Sequence, residues 1–125
     1  MIDHISVGVS DLDRSAKFYE ATLTALGLTR LVTRPRTVGF GKTYPEFWIN
    51  LREGMPAVAP ESGVHICLRA RTTTEVDAFH AAALAAGGVS DGEPGIRPHD
   101  RVRYYAAFVV DPDGNRIEAV TFPAD

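Results

Sequence analysis

Residues 63–88 read GVHICLRARTTTEVDAFHAAALAAGG and contain the pattern that decides the fold. Apolar and polar residues alternate at the start, which is typical of a β-strand with one buried face. A threonine run at 72–74 then offers caps for the Ala-rich helical segment that follows, and the glycine pair at 87–88 ends it. The segment therefore predicts one strand followed by one helix.

The same pattern occurs earlier, where residues 2–28 read IDHISVGVSDLDRSAKFYEATLTALGL. His65 lies 61 residues after His4, and Phe79 lies 61 residues after Phe18. Further identical pairs share this offset: Ile5 and Ile66, Ala21 and Ala82, Leu23 and Leu84, Ala25 and Ala86, Gly27 and Gly88. Such a series of matches indicates an internal duplication.

Three strand signals follow each predicted helix. They read LTRLVT, TVGFG and EFWINL in the first half, and VSDG, YYAAFVV and NRIEAV in the second half. We therefore expect an α+β fold made of two βαβββ modules, about 1–60 and about 61–125, within one domain spanning 1–125. The modules should form an open, curled mixed β-sheet of two half-barrels with the helices on the outer face.

Composition and charge narrow the classes of function. The net charge of −3 is mild and the basic residues are scattered, so no nucleic-acid partner is indicated. Cys67 is the only cysteine, which excludes an intrachain disulfide and favours a reducing compartment. No leader-like segment precedes Ile2 and no apolar run reaches the length of a membrane span, so we expect a cytoplasmic protein without a membrane partner.

The alternation of the strands assigns several polar side chains to one cleft. In the first strand Ile5 and its alternating apolar neighbours suit the helix, so His4 faces the opposite side, and the repeat gives His65 the same place. In VVDPDGNRIEAV, residues 109–120, the flanking apolar residues face the helix and Glu118 faces the cleft. Three potential metal ligands are therefore predicted to project into one concave space.

DHISVGVSDLDRSAKFYEATLTALGL, GVHICL and AAFVVDPDGNRIEAV resemble the vicinal oxygen chelate superfamily, which includes glyoxalases, bleomycin resistance proteins and extradiol dioxygenases. The resemblance implies paired modules around a divalent metal, with ligands at His4, His65 and Glu118. The fourth ligand, a glutamate in glyoxalase I enzymes, falls on Asn50, which is expected to hold a metal-bound water. Glu46 is on the same face but roughly 13 Å further along the strand, so it is not expected to replace Asn50.

Two imidazoles and one carboxylate suit Fe, Mn, Co, Ni or Zn as divalent ions. The resemblance implies a metal-dependent lyase, isomerase or thiol-transferase that chelates adjacent oxygens of a small molecule. The tyrosine of extradiol dioxygenases falls on Phe108, so ring cleavage is a second alternative. The first alternative is a metal-free protein that sequesters a drug-like ligand. We also expect a homodimer, in which His4 of one chain can meet His65 and Glu118 of the other.

Further candidates for the site share the cleft face or a neighbouring loop. His99 lies in the polar segment RPHDRVR and is a candidate catalytic group, although a surface histidine is the simpler interpretation. The candidate pocket residues are Phe40, Trp48, Cys67, Arg69, Tyr104 and Phe108. The aromatic members can equally fill a barrel, and no base that would activate Cys67 is identifiable. The sequence does not identify the substrate, the reaction or the metal.

Overall fold

The computed structural model describes residues 1–124, which form two helices and two four-stranded sheets. The elements are β1 (Ile5–Val9), α1 (Leu12–Thr24), β2 (Thr29–Arg34), β3 (Thr37–Gly41), β4 (Pro45–Leu51), a 3₁₀ turn (Pro60–Ser62), β5 (Ile66–Arg69), α2 (Thr73–Ala85), β6 (Val89–Arg97), β7 (Tyr104–Val110) and β8 (Arg116–Thr121). Neither helix in the described part of the chain is long and apolar enough to cross a membrane.

The two halves have the same topology. The strand order is β1-β4-β3-β2 in the first sheet and β5-β8-β7-β6 in the second. In each sheet the first strand pairs in parallel with the last, and the other pairings are antiparallel hairpins. The predicted α+β fold of two curled βαβββ modules is confirmed.

Each helix begins at the cap that the sequence offers and buries one apolar face. The Asp11 side chain accepts from the Arg14 N–H at the start of α1, and the Thr72 hydroxyl accepts from the Glu75 N–H at the start of α2. Phe18 and its core neighbours cover one side of the sheets, with residues of both modules in a single hydrophobic cluster. The opposite, concave sides of the sheets are thereby left for other contacts.

Gly88 is required where the two modules meet. A Cβ at this position would lie 2.6 Å from Cε2 of Phe18 and 3.0 Å from the Ala83 carbonyl oxygen. Any larger residue would push α1 away from the start of β6. Gly88 therefore permits close packing between the modules, whereas Gly87, with a φ of 99°, ends the helix.

The DPDGN turn between β7 and β8 joins module two to module one. The buried Tyr19 hydroxyl donates to Asp111 Oδ2 at 2.6 Å, and the backbone N–H groups of Asp113 and Asn115 donate to Asp111 Oδ1 at 2.9 and 2.8 Å. Burial and the Asp111 carboxylate raise the pKa of the Tyr19 hydroxyl well above its ordinary value, so it remains a donor.

The same turn also holds the beginning of α1. Asp113 accepts from the Ser10 backbone N–H at 3.0 Å and from the Ser10 hydroxyl at 2.5 Å, and Arg14 approaches it at 3.2 Å. The Asn115 side-chain amide donates to the Gly8 carbonyl at 2.9 Å. We call the contacts of residues 111–115 with module one the intermodule clasp.

Candidate functional site

Glu118 lies at the centre of the concave face of module two. Across the sheet it pairs with Cys67 on one side and Phe108 on the other. Directly opposed residues of neighbouring strands project to the same face, so these three side chains form one row. Glu118 is only 2% exposed although it faces away from the helices.

The Glu118 carboxylate has a different partner on each oxygen. Oε1 lies 3.0 Å from Nε2 of His65, and Oε2 accepts a hydrogen bond from the Tyr104 hydroxyl. An ionised carboxylate can only accept, so Nε2–H of His65 is the donor in this pair. The sequence prediction that His65 and Glu118 share one site is consistent with this arrangement.

Tyr104 and His99 extend the site towards the loop before β7. Burial, followed by the hydrogen bond to Glu118, raises the pKa of the Tyr104 hydroxyl above its ordinary value. The His99 ring stacks on the Tyr104 ring with centroids 5.9 Å apart, while its Nδ1 accepts from the backbone N–H groups of Arg101 and Val102. His99 is therefore held beside Tyr104 and does not reach Glu118 by any hydrogen bond of the described residues.

Cys67 is exposed as a residue, yet its thiol lies in an environment that opposes ionisation. Partial burial and, after it, the neighbouring Glu118 carboxylate together raise its pKa from 9.0 to about 12. A thiol of this pKa is almost wholly protonated at neutral pH. Cys67 is thus poorly suited to act as a nucleophile, in agreement with the interpretation that no base activates it.

We expect Cys67 to react slowly with a disulfide reagent such as DTNB at pH 8. The rise in pKa from 9.0 to about 12 reduces the thiolate about a thousandfold, and the greater intrinsic reactivity of a basic thiolate leaves a net slowing of roughly 30- to 60-fold. The reaction rate of the urea-unfolded chain is the reference for an ordinary cysteine. Glu118→Gln removes a neighbouring negative charge, so it should raise the reaction rate of the folded protein part of the way to that reference. A folded protein that reacts as fast as the unfolded chain would contradict this environment.

His4 lies apart from the His65–Glu118 pair. Its Nδ1 is 2.7 Å from Oδ1 of Asp3, and its side chain is about half exposed. His4, Glu46 and His65 all contribute to one cleft of about 340 Å³ beside the starts of β1 and β5. Within residues 1–124, however, no three histidine, cysteine or acidic side chains are placed to hold a metal ion together.

The strand register does not support the superposition of Asn50 on Glu118. Cys67 pairs with Glu118, and Ser6, which the 61-residue offset makes equivalent to Cys67, pairs with Trp48. Trp48 is therefore the counterpart of Glu118 in module one. Asn50 lies two residues further along β4, and its amide oxygen accepts from the Thr37 hydroxyl at 2.6 Å.

The register changes the interpretation of Glu46 as well. Ile5 pairs with Phe47, which places His4 beside Glu46 on the neighbouring strand. Glu46 was not expected to replace Asn50 because of its distance along the strand. The register shows that it is the acidic residue of β4 that lies beside His4. A carboxylate one residue before the buried Phe47 is the signal that could have identified it.

Phe40 does not line the cleft, so its assignment to the substrate pocket is wrong. It is fully buried in the hydrophobic core and pairs with Phe47, another core residue. An irregularity between Phe40 and Gly41 shifts the hairpin register, so the alternation counted from the sequence places Phe40 on the incorrect face. Gly39 takes the concave position, where the Trp48 ring lies against it.

His65 and Glu118 offer an imidazole nitrogen and a carboxylate oxygen, which are ordinary ligands of divalent transition metals. The two atoms that share the hydrogen bond are the two that a cation would bind, and imidazole must give up its Nε2 proton for this. The donor chemistry therefore fits a metal, but a complete site needs donors from beyond this pair.

Duplicated βαβββ modules, each with an open concave face, define a class of paired-module α+β proteins. The family model for the Glyoxalase/Bleomycin resistance protein/Dioxygenase superfamily matches residues 1–119, so the chain belongs to this superfamily. The comparison with curated proteins gave no match.

One solved structure supports the same assignment, and two more have the same fold. A glyoxalase/bleomycin resistance protein from Albidiferax ferrireducens is 37% identical with a TM-score of 0.85, over 96% of this chain and 98% of that chain. A glyoxalase-related enzyme from Fulvimarina pelagi is 21% identical with a TM-score of 0.72, over 96% of this chain and 86% of that one. A glyoxalase I mutant from Zea mays is 22% identical with a TM-score of 0.72, over 94% of this chain and 45% of that one. The last two similarities show the fold alone.

Proposed function

We propose that the protein is a metal-dependent enzyme that acts on a small molecule with adjacent oxygen atoms, in a lyase, isomerase or thiol-transferase type of reaction. His65 and Glu118 hold the metal, and His4 of a second copy of the chain supplies a further ligand. The observation that carries the proposal is the His65–Glu118 pair, whose Nε2 and Oε1 atoms lie 3.0 Å apart on a concave face. When bound, a divalent ion would stabilise negative charge that develops on the chelated substrate oxygens.

Tyr104 and Phe108 prepare Glu118 for this role in different ways. The Tyr104 hydroxyl occupies Oε2 and fixes the orientation of the carboxylate, so Oε1 remains directed at His65. The Phe108 ring, whose centroid is 6.5 Å from that of His65, provides an apolar wall on the neighbouring strand. An apolar wall lowers the local dielectric and strengthens electrostatic stabilisation of charge on a substrate.

A shared site would supply the third donor that the described residues of one chain do not bring to the His65–Glu118 pair. His4 and Glu46 lie side by side in module one, whereas His65 and Glu118 lie together in module two. If module one of one chain faces module two of another, each pair of donors completes the other. A symmetric homodimer would then contain two equivalent sites.

Ring cleavage of catechols has less support than non-oxidative chemistry. The structure does place a hydroxyl at Glu118, but Tyr104 supplies it instead of the residue at position 108. This hydroxyl already donates to the carboxylate, and its raised pKa makes it a weak proton donor to a substrate. The proposal therefore keeps the extradiol reaction as the less favoured alternative.

Metal analysis of protein purified without chelators tests the proposal. We expect about one divalent transition metal per chain in the wild type, and a loss of at least about tenfold in affinity in His65→Ala. His99→Ala is the matched control, since His99 stacks on Tyr104 but no hydrogen bond or ion pair of the described residues joins it to His65 or Glu118, and it should retain the metal. Equal metal content in His65→Ala and His99→Ala, or no uptake by the wild type, would exclude the metal-dependent enzyme.

A metal-free binding protein is the second candidate, and one observation favours it. Both Glu118 oxygens already have hydrogen-bond partners in His65 and Tyr104, so the buried carboxylate is satisfied without a cation. In that case the concave face would sequester a small ligand without transforming it. A cytoplasmic location, inferred from the single cysteine, remains a prediction under either function.

A further inference from the structure

Arg97, at the end of β6, is held over the site by neutral groups. Its guanidinium carbon lies 5.5 Å from the centroid of the Phe108 ring, next to Glu118 in the sheet. Its Nη1 donates to the Gly95 carbonyl at 3.0 Å and its Nη2 donates to the Glu93 carbonyl at 2.5 Å. These contacts fix the side chain without neutralising its charge.

Arg69 occupies the opposite edge of the same face. It lies two residues after Cys67 on β5, so both side chains project to the concave side of the sheet. Its guanidinium carbon lies 4.5 Å from the centroid of the Phe122 ring, which packs edge-on against Tyr104 at 5.5 Å. The two arginines thus stand on the outer strands β5 and β6, with the Glu118 row between them.

Their lack of acidic partners separates these two residues from most other arginines. Salt bridges to carboxylates engage Arg14, Arg30, Arg36, Arg71 and Arg116. Over residues 1–124, neither Arg69 nor Arg97 forms such a bridge. Because arginine is charged at all ordinary pH values, the concave face of module two carries two positive charges, of which the Glu118 carboxylate balances at most one.

Module one carries a similar contact, although its ring lies on β4, the equivalent of β8, and not on the equivalent of β7. The Arg34 guanidinium carbon lies 5.9 Å from the Trp48 ring centroid, and Arg34 ends β2 as Arg97 ends β6. Trp48 lies against Gly39, where a Cβ would come within 2.8 Å of the ring, and Phe108 lies against Gly92 in the same way at 2.9 Å. Both modules therefore carry an arginine stacked on an aromatic ring that covers a glycine.

We propose that the substrate is a small carboxylate whose anionic group is bound by Arg97, while Arg69, at the opposite edge of the same face, adds a second positive charge that attracts it. This inference rests on the proposed function only in taking the Glu118 face as the substrate site, and it adds the charge class of the substrate. Two of the five guanidinium N–H groups of Arg97 bond to the Gly95 and Glu93 carbonyls, which leaves three that can donate to a carboxylate. Because Arg97 is already fixed, little side-chain entropy is lost on binding.

Binding of benzoate and of its neutral counterpart benzamide tests the inference. Both are titrated by calorimetry and by amide NMR shifts into protein stripped of metal with EDTA. We expect benzoate to bind at least about tenfold more tightly than benzamide and to shift amides of β5 and β7, with Arg97→Gln and Arg69→Gln each removing this preference. Arg36→Gln, whose native partner is the exposed Glu53, is the matched control for loss of one positive charge and should keep the preference.

The outcomes separate this inference from the proposed function. Equal binding of benzoate and benzamide, no binding of either, or an equal loss of preference in Arg36→Gln would overturn the carboxylate site. Metal uptake is measured independently with His65→Ala, so a failed titration leaves the metal site standing. A successful titration in a protein that takes up no metal would retain the carboxylate site and exclude the metal-dependent enzyme.

Discussion

Replacing Asp111 by alanine is expected to lower the free energy of unfolding by about 3–5 kcal/mol, because the change leaves buried donors without an acceptor. Asp111 is 4% exposed and accepts from the Tyr19 hydroxyl as well as from the backbone N–H groups of Asp113 and Asn115. Tyr19 is fully buried, so water cannot replace the lost carboxylate without opening the junction between the modules.

Urea unfolding followed by fluorescence and circular dichroism measures this change as a shift in midpoint at constant m-value. Asp91→Ala is the matched control, because Asp91 is exposed and pairs with Arg116 at the surface. The control should change the free energy of unfolding by no more than about 1 kcal/mol. If Asp111→Ala and Asp91→Ala unfold at similar urea concentrations, the contacts of the intermodule clasp do not stabilise the folded protein.

The fold could be predicted from the sequence because two independent periodicities agree in each half. The alternation of apolar and polar residues predicts the strands, and helical spacing and caps predict the helices. The 61-residue repeat indicates that both halves form the same elements in the same order. His65 and Glu118 could be assigned to one face for the same reason. Glu118 lies inside β8 and His65 directly precedes β5, two residues before Cys67, so alternation assigns both to one side.

Positions near strand irregularities could not be predicted in this way. Phe40 lies beside the shifted register of β3 and β4, and one irregular residue reverses the face of every residue counted through it. Asn50 does not superpose on Glu118 because the loops of the two modules differ in length. Strands with similar sequences can therefore pair in different registers with the first strand of their module. Only the pairing of β4 with β1 shows that Trp48 is the module-one equivalent of Glu118.

Contacts across the modules were also beyond the sequence pattern. The DPDGN stretch predicts a tight turn, and Gly114 does adopt a φ of 95° there. Nothing local indicates that Asp111 meets Tyr19, which lies 92 residues earlier. The place of Arg97 over Phe108 is equally non-local, since it depends on how β6 pairs with β7.

The second large effect concerns how the metal site is assembled. If His4 of one chain joins His65 and Glu118 of its partner, His4→Ala and His65→Ala homodimers each lack an intact site. A heterodimer of the two variants contains one site with both changes and one site with neither. By two-fold symmetry this heterodimer should recover about half of the wild-type metal content.

The measurement uses the two variants co-expressed with different affinity tags, so that heterodimers are isolated by two successive purifications. Light scattering should give about twice the chain mass of 13.6 kDa, and metal analysis reports the content per dimer. The account predicts close to no metal in either homodimer and about one ion per heterodimer, against two in the wild type. A heterodimer as empty as the homodimers, or a wild type that remains monomeric at micromolar concentration, would contradict a site shared between two chains.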